Sequence, residues 1–327
     1  MKYLDIGDLM ITFLGDIAPI EDGLRSDYKP SFPYFFNFEY VCGNRENLVP
    51  VENKINLCSN VEDFKKIFGT DPIAVSIANN HIGDFGEFGI QETISHINKK
   101  NILIAGIEPC WISERVCILA YMALGTNSPF EFDYQKVKAA IINSKKRNPD
   151  ARIIVQMHWG VENNPSYISK QSEIGHWLID NGVDLVIGHH PHCIQPVEQY
   201  KGKYIFYSLG NGLFGIISQP SHYNSMGKPT RNYRFKWRSW NRKSMAVLYD
   251  EVQNKVISVD LLYQKGKTLK VIKKDIPVDN FLLRQKVMFS NLIYKYRKYS
   301  LFLTSNLFVD GKIFDVNALM CELRGKK

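Results

Sequence analysis

Three of the chain's eight histidines, His189, His190 and His192, fall within four positions, straight after the apolar run "DLVIG". Imidazoles gathered so closely can hold a metal ion or move protons. Donor-type residues recur elsewhere, where apolar runs stop: Asp16 in "FLGD", Glu39 in "FFNFE", Asn80 and His81 in "SIANNH", His158 in "IVQMHWG". Carboxylate, amide oxygen and imidazole together suit a borderline divalent ion such as Mn²⁺, Zn²⁺ or Fe²⁺. Alternate residues of a strand share a face, so His190 and His192 are predicted to point to one side, with Pro191 stiffening the turn. Taken singly, each residue has a plainer reading. Asp16 suits a helix cap, Glu39 a solvated charge, His158 a hydrogen-bonded core histidine and Asn80 a turn. Five strand ends each offering a donor is what sets the group apart. A structural role is expected for His189, and solvent exposure for His96, His176 and His222.

The elements that must position these residues follow from periodicity. "MITFL", "IAVSI", "ILIAG", "RVCILAYM", "RIIVQMHWG", "VDLVIGHHPH" and "KYIFYSLGN" read as strands. Residues 88–98, 132–148 and 170–182 read as helices, the last stopped by Gly182. In open α/β sheets, ligands bind at the carboxyl ends of the strands. The later runs "SMAVLYDE", "KVISVDLLYQ" and "TLKVIKKD" alternate with period two and predict antiparallel strands. A mixed α/β domain is expected over 1–276, and a basic helical extension over 277–327.

Composition bounds the rest. Of 327 residues, 45% are apolar and 23% charged, which is globular. The net charge of +8 favours anionic partners. The six cysteines form no CxxC pair, so idle thiols in a reducing compartment are expected rather than a disulfide framework. The acids within "MKYLDIGDLMITFLGD" make a poor signal peptide, and no apolar run reaches the roughly 18 residues of a membrane span. A cytoplasmic location is expected, with attachment to the inner membrane face as the alternative.

The segments "LGDIAP", "NFEYV", "ANNHIGDFG", "QMHWGVE", "GVDLVIGHHPHCIQPVE" and "KYIFYSLGN" resemble, in order and spacing, the CapA-type poly-γ-glutamate synthesis proteins. That family is similar to the calcineurin-like metallophosphoesterases. The resemblance spans about residues 10–250 and implies a four-layer α-β-β-α sandwich. It implies one or two divalent ions, Mn²⁺ first with Zn²⁺, Fe²⁺ and Mg²⁺ as alternatives. Asp16, Glu39, Asn80, His158, His190 and His192 would be ligands, and His81 the catalytic histidine. Two departures stand out. Ala18 occupies the position where the phosphoesterase pattern has a histidine, and the bridging residue is Glu39 rather than an aspartate. One metal site therefore lacks a ligand. Family members often carry an N-terminal membrane anchor, which the first residues here do not suggest.

On that resemblance, the chain is expected to be a metal-dependent phosphoesterase acting on a phosphorylated sugar, polyol or glycan intermediate. Two alternatives stand beside it: a factor in poly-γ-glutamate synthesis or release, as amide hydrolase or transferase, and a non-catalytic assembly protein. Asp84 either orients His81 or serves a turn. Glu162 orients a ligand or contacts substrate, and Asn211 lies near the site or in a turn. Residues 199–249 hold nine Lys or Arg and no acid. Their segment "HYNSMGKPTRNYRFKWRSWNRKS" is read as a substrate-facing lid in which Arg231, Arg234 and Arg238 meet phosphate, with a mobile solvated loop as the alternative. An anionic small molecule or glycan phosphate suits this mixture better than nucleic acid. The tail 281–327 carries nine Lys or Arg against three acids. It is read as a helical cap on the domain, the alternative being contact with a membrane or a glycan-assembly complex.

Overall fold

The computed structural model describes residues 9–281, apart from residues 53, 61–62, 127, 224–225, 227 and 236. The expected helical extension lies almost wholly outside the described residues. Only the short 3-10 turn Val278–Phe281 belongs to it. The chain divides into two units, 1–284 and 285–327.

The first unit is a mixed α/β domain with two large sheets. In the first sheet the order runs Arg25–Ser26, Thr268–Ile276, Lys255–Lys265, Lys243–Asp250, Met10–Ala18, Tyr34–Phe38, Ala74–Ser76, Leu103–Ala105. Asn211–Phe214 also pairs with the end of Met10–Ala18. From Met10–Ala18 to Leu103–Ala105 the strands are parallel. The late strands from Lys243 to Ile276 are antiparallel, in keeping with their alternating pattern. The second sheet is built around parallel strands Val116–Ala123, Arg152–Trp159, Leu185–His189 and Lys203–Phe206. These strands read as continuous apolar runs because both faces are covered. One face of the second sheet carries Cys117, Leu119, Ile153, Val155 and Val186, which pack with Val137 and Ile141 of helix Tyr134–Arg147 and Ile174 and Leu178 of helix Ser169–Asp180. The alternate side chains Ile118, Ile154 and Ile187 share a cluster with Phe13, Phe35 and Val75 of the first sheet.

Local signals account for the helices. Asp133 caps Tyr134–Arg147 by accepting from the backbone N–H of Gln135 and Lys136, and Lys145, Lys146 and Arg147 close its last turn. Ser169–Asp180 ends before Gly182, whose φ of +96° continues no helix. On strand Tyr34–Phe38 the residues Tyr34, Phe36 and Phe38 meet Phe64 and Phe68 of the short helix Phe64–Phe68. That leaves Phe35 and Asn37 on the opposite face. Two glycines allow backbones to touch near the site. A Cβ at Gly15 would lie 2.0 Å from the Gly210 carbonyl oxygen, and one at Gly188 2.0 Å from that of Tyr207. Among the described residues, no helix is long and apolar enough to cross a membrane.

Candidate metal centre

The carboxyl ends of the parallel strands bring the donor residues together. Asp16 lies opposite Asn37 and Asn211 in register, and His158 lies beside His189. All five are fully or almost fully buried. The amide of Asn37 crosses from the first sheet to the second. Its Nδ2 is 3.0 Å from Asp16 Oδ1, 3.3 Å from Glu39 Oε2 and 3.3 Å from His158 Nδ1. Its own oxygen accepts from Asn79 Nδ2 at 3.1 Å, and Asn79 Oδ1 in turn accepts the backbone N–H of His81 and Ile82. Two asparagines thus fix the carboxylates and the loop that carries Asn80 and His81.

Two donor sets meet at one atom. Glu39 Oε1 is buried without a hydrogen-bond partner, 3.7 Å from His158 Nε2 and 3.6 Å from His192 Nε2. On one side His158 Nε2 lies 2.7 Å from Asn80 Oδ1 and 3.1 Å from His190 Nδ1. On the other, Glu39 and His192 group with Asp16, and that set contains only three residues. Ala18 is buried two positions beyond Asp16 and offers no donor. Ligands held at about 2.0–2.2 Å from one ion stand roughly 3 to 4 Å apart, which is the spacing observed. The donor chemistry and the partnerless Glu39 oxygen both fit a divalent ion.

The electrostatics agree. Burial, reinforced by Asp16, Glu162 and Asp84, raises the Glu39 carboxyl well above its ordinary range. Burial, followed by the surrounding imidazoles, holds His158 well below its own, and His190 is pushed down to about 4, mainly by burial. Burial alone would raise Asp16, but His189 and His192 outweigh it and hold it low. Without an added cation, the site therefore contains imidazoles that refuse protons and a carboxyl that resists ionising. A divalent cation favours the ionised carboxylate and neutral imidazoles together.

The histidine cluster is arranged differently from the sequence expectation. The strand ends at His189, so strand alternation does not aim His190 and His192. Both instead occupy left-handed backbone conformations, φ +92° and +53°, which cost about 1–3 kcal/mol each. The surroundings enforce the turn: Asn163 N–H donates to Pro191 O, and Asn241 Nδ2 to His192 O. His189 turns to Asp16, with Nδ1 2.7 Å from Oδ1. Since an ionised carboxylate only accepts, this contact places the ring proton on Nδ1. Asn211 is buried rather than open to a ligand. Its oxygen lies 2.9 Å from His192 Nδ1 and its nitrogen donates to Asn241 O, leaving His192 Nε2 to face Glu39.

His81 Nδ1 sits 2.8 Å from Asp84 Oδ2, which also accepts the Leu57 N–H. Lys54 reaches Asp84 Oδ1 at 2.5 Å and the Asn80 carbonyl at 2.7 Å. Beside the cluster opens a cavity of about 240 Å³. Lys54, His81, Glu162 and His192 line its polar side, and Ile55, Phe214, Ile217 and Trp237 its apolar side. Glu162 stands exposed, and its carboxyl groups with His190 and His192. Crowding would raise that carboxyl, but His190, His192 and His81 hold it low.

The expected lid is a hairpin, Ile217–Tyr223 paired with Pro229–Phe235. Arg231 and Arg234 lie on its second strand, and their side chains are outside the described residues. Arg238 is not among the cavity residues; it is exposed, its guanidinium 5.1 Å from the Trp240 ring centroid. Trp237 packs 5.1 Å from His192 and donates from Nε1 to Gly215 O. Sequence reasoning did not single out Asn37, Asn79, Lys54 or Asn241. Asn37 carries one usable signal, since it lies two positions before Glu39.

Comparison with known proteins places this geometry. The model of the family described as bacterial capsule synthesis protein PGA_cap matches residues 33–216. That span holds every donor above except Asp16. A "PGA biosynthesis protein CapA" of Bacillus subtilis (strain 168) is 28% identical over 236 residues, 64% of this chain and 62% of the relative. A "Capsule biosynthesis protein CapA" of Bacillus anthracis is 27% identical over 256 residues, 65% and 62% of the two chains. A "Probable polyglutamine synthesis accessory protein" of Mycobacterium tuberculosis is 30% identical over 172 residues, 43% and 44%. The chain spans about 62% of the length of the two Bacillus relatives it matches. With more than half of its residues under the family model, the chain belongs to the bacterial capsule synthesis protein family PGA_cap.

Proposed function

We propose that this chain acts in the synthesis or release of a poly-γ-glutamate capsule polymer, as a metal-dependent hydrolase or transferase of its γ-amide bond. The observation that carries this reading is the pair of donor sets sharing Glu39 Oε1, in a chain whose relatives are named for PGA and capsule biosynthesis. Glu39, Asn80, His158 and His190 would hold one ion, and Asp16, Glu39 and His192 a second, less completely. A bound ion would supply Lewis acidity, polarising an acyl or phosphoryl oxygen and acidifying a water. The two large sheets and their helices would form the four-layer sandwich that the resemblance implies.

The chain's own residues supply the rest. In hydrolysis, water oxygen bonds to the carbonyl carbon, the C–N bond breaks and the departing nitrogen takes a proton. His81, oriented by Asp84, is placed to deliver that proton from Nε2. Trp237, Phe214 and Ile217 exclude water from one side of the cavity. The acid-free stretch 199–249 suits a polyanion. The cysteines among the described residues are buried and form no disulfide, which fits a reducing compartment, so the reading places the work in the cytoplasm or at its membrane face.

Phosphate ester hydrolysis is the second reading, favoured by the His81–Asp84 pair beside the donor sets. The test is to incubate Mn²⁺-loaded protein with poly-γ-glutamate and, separately, with phosphomonoesters and diesters. Shortening or transfer of the polymer, lost in Glu39→Gln and His190→Ala, supports the first reading. Phosphate release alone supports the second, and neither activity leaves the assembly role.

A further inference from the structure

The cavity beside the donor cluster contains two charged side chains besides its histidines, and only one of them is uncommitted. Lys54 is engaged by Asp84 and the Asn80 carbonyl. Glu162 makes no hydrogen bond or ion pair among the described residues, and its exposed carboxylate lies beside His190 and His192. An unengaged carboxylate at the mouth of a metal-type site calls for a cationic group on the ligand.

We infer that Glu162 receives the free α-ammonium of a terminal γ-glutamyl unit, so that the site works from the amino end of the chain. This rests on the γ-amide reading above. The reach agrees with it. Glu162 offers an oxygen within 4.8 Å of donor atoms on His190 and His192. In a γ-linked glutamyl unit, four bonds separate the α-nitrogen from the scissile carbonyl carbon, a span of about 5 Å when extended. An α-linked unit holds the two groups only two bonds apart, about half that span. The ammonium of a γ-linked end can therefore meet Glu162 while its carbonyl lies over the donor cluster. The polymer's own carboxylates would be left to the basic stretch that follows.

The test uses full-length Mn²⁺-loaded protein, with γ-L-glutamyl-L-glutamate and its N-acetyl derivative as probes. Calorimetry gives affinity, elemental analysis gives metal content, and chromatography follows turnover. The amino-free dipeptide is expected to bind about tenfold or more tightly than the acetylated one, as a charge-assisted contact implies. Glu162→Gln should erase that preference while keeping the metal content, and Glu162→Asp should restore part of it. Equal affinity for both probes, binding of neither, or loss of metal from Glu162→Gln overturns the inference. The two readings separate: an amine preference without turnover keeps the Glu162–ammonium contact but sinks the γ-amide reading, whereas turnover of both probes alike keeps that reading and overturns the inference.

Discussion

Asn80 and His158 come from different sheets and meet with 2.7 Å between Oδ1 and Nε2. As a hydrogen bond this contact puts the ring proton on His158 Nε2, while Nδ1 accepts from Asn37 Nδ2. Asn80 and His158 each lie at the end of a parallel strand or just beyond it, and each faces the same small volume as Glu39 Oε1 and His190 Nδ1. A divalent ion bound at that point would displace that proton and draw both atoms to itself. Replacing either residue with alanine should abolish binding of the more tightly held ion, measured as moles of Mn²⁺ per mole of protein after dialysis. Full stoichiometry in both variants would remove the metal from this place.

Asn37 steadies Asp16, Glu39 and His158 at once. Asn37→Ala should weaken metal affinity by about 10- to 100-fold, the usual cost of losing a residue that orients ligands. Competition with a fluorescent chelator measures this directly. Asn37→Asp would place a third buried carboxylate beside two others and is expected to be worse.

Acid should destabilise the metal-free protein through its buried imidazoles. His190 titrates near 4 when folded and near 6.5 when unfolded. Between those values the unfolded chain binds a proton that the folded one refuses, so stability falls as pH drops through that window. His190 alone accounts for up to about 3 kcal/mol. Glu39 works in the opposite direction. Its raised carboxyl makes the folded state the stronger proton binder above about pH 4.5, so its contribution falls as pH rises. Urea unfolding of stripped protein between pH 7 and 4 should show the His190 loss, and His190→Gln should flatten it.

His81 and Asp84 should behave as one unit. If the chain hydrolyses its substrate, His81→Gln or Asp84→Asn should each slow turnover by about 10²- to 10⁴-fold, and the double variant little further. Metal content should be unchanged in His81→Gln. Additive losses in the double variant would show that the two act separately.

Gly15→Ala and Gly188→Ala should each cost about 3 kcal/mol or more, because the new methyl group meets a backbone carbonyl that cannot step aside. Both glycines precede residues that build the site, so metal affinity should drop with the melting temperature. Thermal melts with and without Mn²⁺ check both effects.

The strands, the three longer helices and the polar residues that gather at the strand ends were legible because their physics is local. Continuous apolar runs mark buried parallel strands, and carboxylates or imidazoles stand out at their ends. The residues that hold those donors were not legible. Asn37, Asn79 and Asn241 are small polar residues whose roles depend on contacts across the two sheets or between distant loops. The conformation of His190 and His192 was also hidden, since nothing in "GHHPH" announces two left-handed residues without a glycine. Lys54 reads as one surface lysine among many until its partner Asp84 is seen.

Among the described residues, the strand Met10–Ala18 finds its antiparallel neighbour in Lys243–Asp250, close to the end of the described domain. His189, which grips Asp16, is 173 positions downstream of it. At about 5–20 residues per second, a ribosome needs on the order of ten seconds or more between the two. The nascent chain therefore cannot close the Asp16 side of the cluster while most of it is still being made. Any ion capture there waits until residues past 192 have been made, and release of the chain before residue 247 would leave Met10–Phe13 without its antiparallel partner.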